Sequence, residues 1–132
     1  MILSETEHII CFAPVIQLFS TAQSILTFEI ELGNVQFEIV GFSSAVVQIS
    51  GEVVVNISFL GFDSLIHDQS EVIPFSVIEP IPGDFPETST VSGSISLINQ
   101  NIITEEDPSI GGITAITIFM NYLTQIIIKN LQ

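Results

Sequence analysis

The stretch LTFEIELGNVQFEI, residues 26–39, decides the fold class. Leu26, Phe28, Ile30 and Leu32 alternate with Thr27, Glu29 and Glu31. Successive side chains of a strand point to opposite faces, so this spacing gathers the apolar set on one side. After Gly33-Asn34, Val35, Phe37 and Ile39 alternate with Gln36 and Glu38. Two alternating runs joined by two residues that tolerate a positive φ predict a β-hairpin with Gly33-Asn34 as its turn.

The same period continues outward. From Val46 to Leu60, Val53, Val55, Ile57 and Phe59 share a face opposite Glu52, Asn56 and Ser58. Gly51 inside that run marks a bulge or a close backbone approach. Gly41-Phe-Ser-Ser44 breaks the pattern, and Gly61-Phe-Asp-Ser64 reads as a turn. A strand from about Leu65 to Phe75 pairs back on its predecessor, although it contains Pro74. Proline lacks a backbone N–H and is confined to edges, strand starts and bulges. A bulge or edge at Pro74 would let Val72 and Phe75 both pack. Pro80 and Pro82 then stiffen the exit, and Gly83 turns the chain.

Ile81 to Pro86 is loop chemistry. Val91, Ile95 and Leu97 alternate with Ser92, Ser94 and Ser96, and Glu105-Glu-Asp-Pro108 with Gly111-Gly112 marks another loop. The run from Ile113 to Leu131 is apolar on both faces around Ile126-Ile-Ile128, which suits a central strand or one covered by another subunit. The expectation is an all-β, single-domain antiparallel β-sandwich of about seven or eight strands. It occupies residues 15–132 and follows an extended N-terminal arm over residues 1–14, ended by Pro14.

Composition narrows the function. Of 132 residues, 47% are apolar and 12% charged, with 15 acidic residues against a single basic one, Lys129. A net charge of -14 repels nucleic acid and anionic lipid, both of which need Lys and Arg. The apolar content is too high for intrinsic disorder. Most of the polarity comes from Ser, Thr, Asn and Gln, a surface that loses little charge solvation when it packs on protein. The N-terminal MILSETEH carries Glu5 and Glu7 and does not read as a secretory signal. The uncharged run from Ile9 to Phe28 contains Pro14, Gln17, Ser20, Thr21, Gln23 and Ser24, so no membrane insertion is expected. The lone Cys11 cannot form an internal disulfide; it is a small buried apolar residue, or else an intermolecular cross-link or a free thiol near a mobile N-terminus.

No catalytic, cofactor or metal site is expected. In His67-Asp-Gln-Ser70, adjacent strand residues face opposite ways, so His67 and Asp68 cannot serve one pocket. Glu5, Glu7 and His8 lack a second cluster with zinc spacing. Glu105-Glu106-Asp107 lacks the EF-hand loop pattern and reads as a solvated acidic loop. Asn56-Ile-Ser58 matches the glycosylation sequon by chance.

GEVVVNISF (Gly51 to Phe59), a polar hairpin ending in His67, EVIPFS (Glu71 to Ser76) and IEPIPG (Ile78 to Gly83) together resemble the SPOCS domain. That (SipL-like) family belongs to spore coat and exosporium proteins of endospore-forming bacteria. The resemblance spans roughly residues 15 to 130. The motif positions are Gly51, Val53, Val55, Phe59, Ile73, Pro74, Phe75, Ser76, Pro82 and Gly83; Phe59 stands where the family often has Tyr. The resemblance implies a non-enzymatic structural protein of the spore surface layers, made in the mother-cell cytoplasm. Its partners would be itself, as homo-oligomer, filament or other polymer, and other spore-coat proteins.

The residues expected to carry assembly are Ile9, Ile10, Cys11 and Phe12 in the arm, with Ile126, Ile127 and Ile128 near the C-terminus. The arm would complete a neighbour's sheet by edge addition. Two alternatives share the composition: a small β-sandwich binding module for protein or carbohydrate, and a phage or tail-associated structural β-domain. With Tyr122 the only Tyr and no Trp, sugar-stacking surfaces are scarce.

Overall fold

The computed structural model describes residues 1–131. Six strands follow in order: β1 (Ile2–Phe12), β2 (Val15–Gly41), β3 (Val46–Gly61), β4 (Ile66–Pro80), β5 (Thr90–Asp107) and β6 (Gly112–Lys129). They form one antiparallel sheet in the order β1-β6-β2-β3-β4, with β5 on the other side of β6. No helix occurs among the described residues.

The sheet folds back on itself around β3 and β6. Val53, Val55, Ile57 and Phe59 of β3 share one core cluster with Ile116, Ile118, Met120 and Tyr122 of β6. Val47 and Ile49 share a second cluster with Ile126, Ile128, Ile10 and Ile81. The two-faced apolar run at the C-terminus is therefore a central strand, paired by β1 and β2 on one side and β5 on the other.

Strand β2 joins the β6 and β3 parts of the sheet. Val15 to Gln17 pair with β6, Ala22 pairs with both Ile113 and Gly61, and Ser24 to Gly41 run along β3. The ladder to β6 lapses between Gln17 and Ala22. There the buried Gln69 of β4 supplies partners: its Nε2 donates to the Gln17 carbonyl at 2.8 Å and its Oε1 accepts from the Phe19 N–H at 3.1 Å. Buried backbone groups need such partners.

Gly33-Asn34 is not a hairpin turn. Gly33 pairs with Glu52 and Gln36 with Ser50, leaving Asn34 and Val35 opposite Gly51 alone. Asn34 takes φ 53°, so the pair forms a bulge with its first residue left-handed. The bulge flips the phase, which keeps Leu32 inward before it and Val35, Phe37 and Ile39 inward after it. A second slip, between Ile25 and Thr27, turns Ile25 inward and leaves Leu26 exposed, against the expectation that Leu26 packs. Two expected strands thus merge into β2, and the described residues form six strands in place of about seven or eight. The turn between β2 and β3 lies at residues 42–45, where Asp84 Oδ1 accepts the Ser44 N–H at 2.7 Å.

Gly51 stands in the inward row of β3 opposite Phe75. A Cβ there would lie 3.0 Å from the Gly33 carbonyl oxygen and 3.0 Å from the Phe75 ring, so the aromatic ring occupies the space that glycine leaves. β4 is an edge strand in unbroken register with β3. Pro74 is tolerated there because of the edge and not because of a bulge. Ile73, Phe75 and Val77 accordingly face inward, while Val72 is exposed, which corrects the expectation that Val72 packs. β5 extends to Asp107, through residues expected as loop, because Glu105 pairs with Ala115 and Asp107 with Gly112.

Candidate functional site

The expected N-terminal arm is β1, hydrogen-bonded to β6 of the same chain from Ile2↔Lys129 to Phe12↔Met120. Alternation then divides the expected assembly residues. Ile10, Ile126 and Ile128 are buried in the core. Phe12 is half-buried, its ring 4.8 Å from Phe75 and 5.9 Å from Tyr122. Ile9, 65% exposed, Cys11, also exposed, and the half-buried Ile127 face outward.

Those outward residues belong to a broad face built by β1, β6 and β5. The register sets Ile9 beside Leu123 and Ser96, Cys11 beside Asn121 and Asn99, and Val15 beside Thr117 and Ile103. Phe119 lies beside Asn101. Val15, Ile103 and Phe119 are exposed, and Asn121 Nδ2 donates to Asn99 Oδ1 at 2.7 Å. No charged residue lies within these rows; Glu5 and Glu7 stand at the far end of β1, where Gln125 Nε2 donates to Glu5 Oε1 at 2.9 Å.

The opposite face, on β2, β3 and β4, is acidic and hydrogen-bonded. It carries Glu29, Glu31, Glu38, Glu52 and Asp68 in alternation with the buried rows. Ser58 donates to Asp68, Ser70 Oγ donates to Asn56 Oδ1 at 2.6 Å, and Gln48 Nε2 donates to Ser76 Oγ at 2.8 Å. An open depression of about 330 Å³ lies over Thr27, Glu29, Asn56, Ser58, Asp68 and Ser70, with no aromatic ring to stack a sugar.

His67 and Asp68 point apart. The His67 ring lies 5.5 Å from Phe59 and 5.7 Å from Phe19, and its Nε2 is 2.8 Å from Asp63 Oδ2. The Leu65 N–H, with a smaller contribution from His67, holds the Asp63 carboxyl below its ordinary value. His8 Nδ1 is 3.2 Å from Glu79 Oε2 and Nε2 is 2.9 Å from Thr6 Oγ1, which ties β1 to β4. In the acidic stretch Glu105-Glu106-Asp107, the Ser109 hydroxyl and N–H hold Asp107 low. No group of three His, Cys, Asp or Glu side chains that could hold a metal occurs among the described residues.

The resemblance positions assemble into one hairpin. Gly51, Val53, Val55 and Phe59 lie on β3, Ile73 to Ser76 lie on β4, and Pro82 and Gly83 follow in the next loop. Gly51 pairs with Phe75 and Val53 with Ile73. Two buried residues carried no sequence signal: Gln69, whose role depends on the β2 crossing, and Thr124, whose hydroxyl lies in the core. No protein family, curated protein or solved structure matches the chain.

Proposed function

We propose that this chain is a non-enzymatic structural subunit of the bacterial spore envelope, in coat, exosporium or surface filament. It self-assembles through sheet edges and its uncharged face, with itself and with other coat proteins as partners. The folded sheet then serves as a β-sandwich building block. The observation that carries the reading is the contrast between the two faces. A chain with net charge -14 repels its own copies wherever carboxylates meet. Away from Glu5 and Glu7, the β1-β6-β5 face, with Ile9, Val15, Ile103 and Phe119 exposed among Asn, Ser and Thr, offers contact without that repulsion. The resemblance of the β3–β4 hairpin to SPOCS-type sequences supports the spore envelope as the setting.

Arm exchange has a specific form in this fold: the β1–β6 pairing is made to a neighbour's β6 in place of the chain's own. Purified protein should form polymers resistant to heat and denaturant, seen by electron microscopy; a monomer under all conditions would overturn the proposal. A disulfide between Glu5→Cys and Ile127→Cys, which face each other, locks β1 to its own chain. Undiminished polymer after locking would eliminate arm exchange and leave the structural role intact.

A further inference from the structure

Among the described residues, strand β5 is paired with β6 on one side only. Proteins guard open edges with charge, proline or bulges, because unpaired N–H and C=O groups recruit other strands. The other open edges are guarded: β4 carries Asp68, Glu71, Pro74 and Glu79, the β2 edge carries Glu29, Glu31 and Glu38, and β1 carries Glu5 and Glu7. β5 has neither charge nor proline from Thr90 through Thr104. Leu97, Ile98 and Ile103 on it are 46%, 50% and 53% exposed. Its one guard is an irregularity between Leu97 and Asn99.

We infer that β5 pairs edge to edge with β5 of a second copy of this chain, antiparallel about a two-fold axis near Leu97. Charge sets the direction. A parallel pair would stack Glu105-Glu106-Asp107 on the same residues of the partner, and like charges directly opposite are destabilising. The antiparallel pair sets Thr90 opposite Thr104 and leaves each acidic triplet outside the paired stretch. It is isologous and closes as a dimer. The resulting sheet runs β1-β6-β5 through the axis into β5-β6-β1 of the second copy and doubles the uncharged face. This deepens the self-assembly reading by naming the edge and its occupant.

Sedimentation of the full chain tests it, comparing the wild type with Ser96→Lys. Ser96 is exposed, so the variant should keep the wild-type circular dichroism and melting temperature. The wild type should sediment as a dimer or as multiples of it, and Ser96→Lys should weaken the dimer by roughly tenfold or more by setting two ammonium groups across the axis. In a Cys11→Ser background, Leu97→Cys should give a disulfide-linked dimer and Glu105→Cys should not. Unchanged assembly of Ser96→Lys, or equal cross-linking at both positions, would overturn the β5 contact while self-assembly stands. A wild-type monomer would overturn both.

Discussion

Replacing Thr124 by valine should stabilise this protein. Thr124 sits on the inward row of β6 between Tyr122 of one core cluster and Ile126 of the other, and its side chain is fully buried. Its Oγ1 has no hydrogen-bond partner among the described residues. A buried hydroxyl left unpaired costs roughly 1–3 kcal/mol, because its water is lost and nothing replaces it. Valine has nearly the same shape, so the exchange removes that cost without opening a cavity or forcing a rotamer. The expected gain is about 1 kcal/mol or more, or roughly 3–6 °C in Tm for a domain of this size. Urea denaturation should show a higher midpoint at unchanged slope. Thr124→Ser keeps the hydroxyl, loses the methyl and should cost about 1 kcal/mol. The stability order is therefore Val, Thr, Ser. A Val variant less stable than the wild type would refute the argument, because it would mean that the hydroxyl is satisfied in solution.

Two more predictions concern packing and pH. At Gly93 a Cβ would fall 2.5 Å from the Gln125 carbonyl oxygen and 2.6 Å from the Phe37 ring, whereas at Gly51 its nearest neighbours are 3.0 Å away. Gly93→Ala should thus cost about 1–3 kcal/mol in urea denaturation and Gly51→Ala less; the reverse order would refute the seating of the Phe37 ring of β2 against Gly93 of β5. Burial pushes the Tyr122 phenol above 10.0. A raised native value means that stability is fully present below pH 10.0 and is lost as pH rises through the native value. Since Tyr122 is the only tyrosine, phenolate absorbance reads it alone. Its native midpoint should lie above that in denaturant, and equal midpoints would contradict its burial.

The fold class was legible because period two is a local property. Val53 to Phe59 alternate in sequence and are alternately buried in the structure. The strand count was not legible, because a bulge and a hairpin turn ask for the same residues. Gly33-Asn34 supplies a positive φ suited to either. What separates them is the partner. β3 is long enough to pair with β2 on both sides of the bulge, and Gly51 lets the Gly33 carbonyl approach. That information lies some 18 residues downstream of Gly33, beyond the reach of turn chemistry. Gln69 and Thr124 were hidden for the same reason: one answers a gap in a ladder, and the other lies between two clusters that exist only after the sheet folds back.

The candidate assembly residues show where periodicity stops short. Ile9-Ile10 and Ile126-Ile-Ile128 are uniformly apolar, so the sequence cannot say which members serve the chain's own core. The fold decides it: Ile10, Ile126 and Ile128 meet Val47 and Ile49, and Ile9 with Ile127 is left outside. The residues left outside are the informative ones. An apolar side chain that turns inward explains itself by burial. Ile9 at 65% exposure, beside Cys11 and in rows without carboxylates, gains nothing from its own fold. On the acidic face the outward positions of β2 carry glutamate, the ordinary way to keep a sheet soluble. The same chain leaves β5 from Thr90 through Thr104 and the β6 rows beside it uncharged, so carboxylate repulsion between copies is weakest on that side.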